Sequence, residues 1–441
     1  MGDPKRAVTQ FKVEFETDGD ENEALTTHFS TMQIINSTRS IWPIFNIWFH
    51  VDNQIFIEKN IYGMTDIVCK IKYTEDNGED AANHVKFTLI YLESAISLPP
   101  KIEENVPLED AREVNKMYVL VTCIAKPAYL SMSTFINKLW EEPTEMTPLD
   151  MIKKLLVDNE IPNRVFDDGF NDNKIQQMLI PPMTFKGAVD YINQSHGIFS
   201  GPLFRYCNYS GEFQMWDLRK MFELKKDSPW VKFHKSPSAF TTPGLFEKIN
   251  EIAYNTDDEF VTYVGAETIH HANANVIKYG YENIYIYHPH EDIALFQKKT
   301  LDEIIPDYGI WHDSDELKFH PDLRQRSMYF YDMKGFETGD GYTGEYSNHI
   351  LTQDMATSFQ NASAVRLKLF KNVKLPMVMK VGEVLYLKPY SDFEKYPGSN
   401  YEGGYLITDS MVVITRIMKK EEININCTAT LTAVRTTQSK N

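Results

Sequence analysis

GGYLITDSMVVITRI (Gly403 to Ile417) and EININCTATLTAV (Glu422 to Val434) stand close together near the end of a 441-residue chain. In the second stretch Ile423, Ile425, Cys427, Ala429, Leu431 and Ala433 are apolar, and Asn424, Asn426, Thr428, Thr430 and Thr432 between them are polar. A helix would spread this period of two around its circumference, so the pattern specifies a strand with one buried face. The first stretch places Tyr405, Ile407, Met411 and Val413 on its odd face, and Lys419-Lys420-Glu421-Glu422 supplies the reversal. A one-residue slip between two such strands would expose the whole apolar set, so their register is strongly specified. Gly403-Gly404 permits a bend or bulge at the entry. The pair reads as the closing edge of a β-barrel.

Upstream, VRLKLFKNVKL places Val365, Leu367 and Leu369 on one face, and VGEVLYLKP is a further strand. The N-terminal part reads the same way. SIWPIFNIWFHV alternates Phe45, Ile47, Phe49 and Val51, Ile61–Tyr73 is a strand, TEDNGED turns at Asn77-Gly78, and HVKFTLIYLES runs back. A linker with Pro99-Pro100 leads to the strand MYVLVTCIA, Met117–Ala125. A helical block follows. TPLDMIKKLLVDN offers Thr147 as N-cap, Pro148 at the first helical position and the stripe Leu149, Ile152, Leu155, Leu156. In PPMTFKGAVDYINQSHG, Thr184 caps, Phe185, Val189 and Ile192 form the stripe, and Gly197 terminates. LFRYCNYSGEFQMWDL is a hairpin turning at Ser210-Gly211. The expected fold is mainly β with α+β insertions: an N-terminal antiparallel barrel (1–125), a small α/β insertion (126–224), an irregular mixed unit (225–360) and a second, related barrel (361–441).

Composition excludes some functions. Lys and Arg number 45 against 62 Asp and Glu, a formal charge of −17, which is the opposite of a nucleic-acid-binding footprint. The 26 Phe, 24 Tyr and 6 Trp favour sheets and broad protein–protein surfaces. Cys69, Cys123, Cys207 and Cys427 are scattered, with no CxxC pair, so neither a disulfide framework nor a metal knuckle is expected. Cys427 reads as a small buried hydrophobe. The longest apolar run, Met117 to Ala125, falls far short of the ~20 residues a membrane helix needs. MGDPKR carries no signal-peptide core, and Arg6 stands where myristoylation wants Ser or Thr. A soluble chain without membrane insertion is expected.

Other residue clusters offer rival chemistry. His288 and His290 in YHPHED, beside Glu291 and Asp292, make an HxH pair, but Pro289 breaks the strand and no third ligand stands at a standard spacing. They read as loop histidines, and no metal is expected there. His270-His271 would point to opposite faces of a strand. Asp313, Asp315 and Glu316 in WHDSDE read as a solvated acidic loop rather than paired glycosidase acids. GFETGDGYTGEY (Gly335 to Tyr346) lacks the GxxxxGK[ST] phosphate loop and reads as a loop able to order against a neighbour. Tyr285 and Tyr287 of ENIYIYH suit an interface. No catalytic, cofactor-binding or metal-binding residue is assigned.

The run VRLKLFKNVKL, VGEVLYLKP, EGGYLITDSMVVIT and CTATLTAVRTT resembles the last barrel of baseplate central hub proteins from contractile-tailed phages. That superfamily includes the phage late control protein D and the VgrG spike. The residues that carry the likeness are Gly382, Gly404, Tyr405, Ile407, Thr428, Leu431 and Arg435. The Thr144 to Leu218 block resembles the family's insertion between two barrels, and Phe11 to Leu98 resembles the first barrel more loosely. The resemblance implies a homotrimer whose six barrels form a pseudo-sixfold ring between the tail tube and the threefold central spike. It implies tail tube and spike proteins as partners, with baseplate wedge and tape measure proteins as further candidates, and DNA passing through the lumen without specific binding. The implied setting is the virion tail baseplate, assembled in the host cytoplasm. No needle-like β-helix follows Asn441, so the spike is expected to be a separate chain. The competing expectation is a β-rich carbohydrate-binding or glycan-hydrolysing module.

Overall fold

The computed structural model describes residues 8–38, 43–51, 55–62, 66–75, 83–97, 117–141, 145–165, 170–172, 174–175, 177–199, 203–208, 212–217, 231–235, 260–270, 284–288, 295–299, 328–331, 363–369, 381–388, 403–419 and 422–435. It is mainly β.

The N-terminal unit contains β1 (Val8–Thr17), β2 (Asp20–Glu21), α1 (Glu23–His28), β3 (Phe29–Ser37), β4 (Ile44–Val51), α2 (Ile55–Asn60), β5 (Ile67–Glu75), β6 (Asn83–Ser97) and β7 (Met117–Ala125). Its six long strands lie in the order β3-β4-β7-β6-β5-β1, every neighbour antiparallel. The alternation read in the sequence is the packing pattern: Phe45, Ile47, Phe49 and Val51 are buried, and Phe87, Leu89, Val119, Val121, Cys69 and Cys123 meet them. Phe15 packs its ring 5.7 Å from Phe49 and 5.8 Å from Phe29. One element departs from the expectation. The strand expected from Ile61 begins at Ile67, and a short helix, Ile55–Asn60, precedes it. Phe56 of that helix lies 5.6 Å from Phe49, so core contact sets its conformation. The expected turn at Asn77-Gly78 lies outside the described residues.

The insertion contains α3 (Lys126–Ser133), β8 (Phe135–Trp140), α4 (Pro148–Asp158), β9 (Asn163–Val165), β10 (Met178–Thr184), α5 (Phe185–His196), β11 (Leu203–Cys207) and β12 (Phe213–Asp217). Its helices begin and end where their caps dictate. Thr147 Oγ1 accepts from the Asp150 amide at 3.2 Å, and the Asp150 carboxylate accepts from the Thr147 amide at 3.1 Å, a reciprocal capping box. Thr184 Oγ1 accepts from Gly187, and Gly197 closes α5 at a φ of 69°. Leu149, Ile152, Leu155 and Leu156 are buried, as are Phe185, Val189 and Ile192. The hairpin β11–β12 is antiparallel, with β9 parallel on its far side, and β8 pairs with β10.

The C-terminal half contains β13 (Val231–Lys235), β14 (Phe260–His270), β15 (Ile284–His288), β16 (Leu295–Lys299), β17 (Met328–Tyr331), β18 (Ser363–Leu369), β19 (Val384–Lys388), β20 (Gly403–Lys419) and β21 (Glu422–Arg435). Strands β15, β16 and β17 form a small separate sheet. The pairings of the other six run full circle, β13-β19-β20-β21-β18-β14 and back to β13. Thus β13 and β14, from the span read as an irregular middle unit, pair into the C-terminal sheet. Periodicity marks a strand but does not name its distant partner, so the sequence does not show this.

Numbered within each unit in chain order, both sets of six strands follow one spatial order, first-fourth-fifth-sixth-third-second. In the first unit this is β1-β5-β6-β7-β4-β3, and in the second β13-β19-β20-β21-β18-β14. The directions agree throughout except that β13 runs parallel to its neighbours. The N-terminal unit and the C-terminal half, from Val231 on, therefore share one strand order.

Candidate functional site

The two units meet on one strand. β20 pairs with β21 along one edge and divides its other edge between two partners. Gly403–Leu406 pair with β19 and close the C-terminal ring, while Asp409–Thr415 pair antiparallel with Thr31–Ser37 of β3. The closing hairpin therefore belongs to both units, and a single sheet of 13 strands runs through the chain.

The change of partner occurs at a bulge. The register of β20 against β21 shifts between Ile407 and Asp409, leaving Thr408 as the extra residue. Backbone bonds around it reach two other segments of the chain. Gly382 N donates to Ile407 O (2.8 Å), Ile407 N to Glu383 O (2.9 Å), and Thr38 N to Thr408 O (2.8 Å). The Asp409 carboxylate accepts from Ser37 Oγ at 2.5 Å and from Thr408 Oγ1 at 2.7 Å, tying the bulge to β3. Thr408 is 6% exposed and Ser37 is buried, so these bonds are partly shielded from water. Further along, Gln33 Nε2 lies 3.0 Å from Met411 Sδ, and Arg416 donates to the carbonyl of Thr27.

The bulge also inverts the faces of β20. Tyr405 and Ile407 are buried before it. After it Val412 and Ile414 are buried, and Met411 is 36% exposed. The odd face expected to run through Met411 and Val413 stops at Thr408, and the distortion sits there rather than at Gly403-Gly404. A period-two reading assumes an unbroken pleat, and a bulge at a Thr carries no sequence mark. β21 has no such break from Cys427 to Ala433: Cys427, Ala429, Leu431 and Ala433 are all buried. Burial pushes the Cys427 thiol up to about 12, as expected of an inert packing residue.

The structure describes only part of the rival sites. His288 ends β15 and His270 ends β14, and Tyr285 and Tyr287 lie on β15. His271, His290, Asp313, Asp315, Glu316 and the run Gly335 to Tyr346 lie outside the described residues. Among the described residues no three His, Cys, Asp or Glu side chains are grouped to hold a metal, and no helix is long and apolar enough to cross a membrane.

No family model and no curated protein matches the sequence. Solved structures match the fold. The chain is similar to the tail protein from Neisseria meningitidis MC58, with 10% identity and a TM-score of 0.53 over 97% of each chain. It is similar to the 43 kDa tail protein of prophage MuSo2 from Shewanella oneidensis, with 10% identity and a TM-score of 0.51 over 96% of this chain and 98% of that one. Both likenesses extend over nearly the whole length, so they take in both β units and the insertion.

Proposed function

From a chain that has the fold of phage tail proteins, we propose a structural role as the central hub of a contractile-tail baseplate. Three copies form a ring that joins the sixfold tail tube to the threefold central spike and surrounds the channel for genome ejection. The work is mechanical rather than catalytic. The observation that carries this reading is the pairing of β3 with β20. It sets two units of identical strand order side by side in one sheet within a single chain. Three such chains present six similar units, which is what a sixfold partner requires on one side and a threefold partner on the other. Tube and spike proteins are the proposed partners, with wedge and tape measure proteins as additional ones. The charge of −17 suits a channel that DNA crosses without adhering.

Light scattering with electron microscopy of the purified chain tests the proposal. A trimeric ring with a pore of roughly 20 Å or more, wide enough for duplex DNA, is expected. A monomer that hydrolyses a glycan, or an assembly without an aperture, overturns it.

A further inference from the structure

The fifth strand of each unit is built the same way. In the second unit it is β20: its first residues pair with the fourth strand, a bulge against the sixth follows at Thr408, and the edge beyond carries β3. In the first unit it is β6. Asn83–Leu89 pair with the fourth strand, β5, and a bulge against the sixth strand, β7, follows at Leu92. Beyond that bulge, among the described residues, no strand pairs along the β5-side edge of β6. Leu92 and Ile96 stand 46% and 39% exposed there, although Glu93–Ser97 are held on their other side by β7. An apolar strand edge left open in this way recruits another strand.

The second strands are alike too. β3 has a bulge against β4 between Phe29 and Thr31, and Thr31–Ser37 beyond it pair with β20. β14 has a bulge against β18 between Tyr263 and Gly265. Its other edge is taken by β13 only as far as Tyr263, so Val264–His270 are left without a strand there among the described residues. The chain thus uses one second-strand-to-fifth-strand junction internally and leaves the two halves of an equivalent junction open.

We propose that the edge of β6 beyond Leu92 pairs antiparallel with the edge of β14 beyond Val264 in a second copy of this chain. The inference rests on the ring-forming reading and names the strands that would close the ring. Because a fifth strand meets a second strand, the contact is head-to-tail, and where its rotation closes, repetition generates a ring rather than a twofold dimer. Transferring the register of β3 on β20, counted from the bulges, sets Ser94 opposite His270, Ala95 opposite Ile269, Ile96 opposite Thr268 and Ser97 opposite Glu267.

Cysteine crosslinking in the full chain tests this. Cys69, Cys123, Cys207 and Cys427 are all buried, so newly introduced thiols on the two strand edges are the ones expected to crosslink. The double variants Ile96→Cys with Thr268→Cys and Ala95→Cys with Ile269→Cys are oxidised and run without reductant, beside the single variants. Ile96→Cys with Phe260→Cys serves as an out-of-register control, and circular dichroism reports folding. A covalent ladder ending at the size of the ring, from either matched pair and absent from the controls, is expected. A ring by light scattering with no ladder from either folded pair overturns the β6–β14 contact and leaves the hub standing. A folded chain that stays monomeric overturns both.

Discussion

The ring of Tyr206 lies against the α-carbon of Gly382, so close that a β-carbon at 382 would stand 2.2 Å from Tyr206 Cζ. Tyr206 belongs to β11 of the insertion, and Gly382 enters β19 of the C-terminal unit at a φ of +85°. Two demands therefore converge on one residue: a left-handed backbone and room for an aromatic ring. Gly382→Ala is expected to cost about 2–4 kcal/mol, combining backbone strain with overpacking. Urea unfolding of Gly382→Ala, Tyr206→Leu and the double variant checks it. The double variant should lose less than the sum of the two, because the smaller side chain removes the clash. Strict additivity would mean that the ring and the glycine do not communicate.

The capping box of α4 predicts a smaller effect. Thr147→Ala leaves the Asp150 amide without its acceptor and is expected to cost about 1 kcal/mol. Thr147→Ser, which keeps the oxygen, should recover most of that loss. Equal loss in both variants would place the contribution in the threonine methyl instead.

Helix boundaries such as Thr147 and Gly197 were legible because capping chemistry is local. The strands of β4 and β21 were legible because each keeps an unbroken period of two over one buried face. The junction was not. Val412 and Ile414 replace Met411 and Val413 on the buried side because of a backbone bulge, and a bulge leaves the residue pattern intact while changing its phase. The membership of β13 and β14 in the C-terminal sheet was hidden for a different reason. It is decided by pairing partners 99 residues apart in the contact of Glu267 with Arg366, which no local window spans. Sharing of the closing hairpin between both units likewise depends on Ser37 reaching Asp409.

Acid should weaken the insertion first. Burial at the end of α5 holds the His196 imidazole down at about 4, against an ordinary 6.5. The folded state therefore takes up a proton less readily than the unfolded chain. Stability from this residue is complete above about pH 6.5 and is lost as pH falls toward 4, to a total of about 3 kcal/mol. Glu14 acts in the same direction at lower pH. Hydrogen bonds from Lys12 and then Lys72 hold its carboxyl below 4.5, so its contribution is lost as pH drops beneath that value. Unfolding midpoints measured from pH 7 to pH 4 should fall, and His196→Gln should flatten the upper part of the curve. An unchanged slope in that variant would remove His196 as the cause.

Two neighbouring residues at the junction should respond with opposite signs. Asn36 is 2% exposed, and neither Oδ1 nor Nδ2 has a hydrogen-bond partner. It sits on β3 opposite Ser410, where its amide was desolvated on folding without compensation. Asn36→Leu has a similar branched shape and no polar atoms to desolvate, so it should stabilise the chain by about 1 kcal/mol. Ser37, the next residue, donates to Asp409 at 2.5 Å across the same pairing. Ser37→Ala leaves a carboxylate oxygen short of a donor and should cost about 1–2 kcal/mol. Denaturant midpoints of the two variants, measured side by side, carry the test. If Asn36→Leu instead destabilises as Ser37→Ala does, the amide takes part in holding β3 to β20, and the polar centre of the junction extends one residue further along the strand.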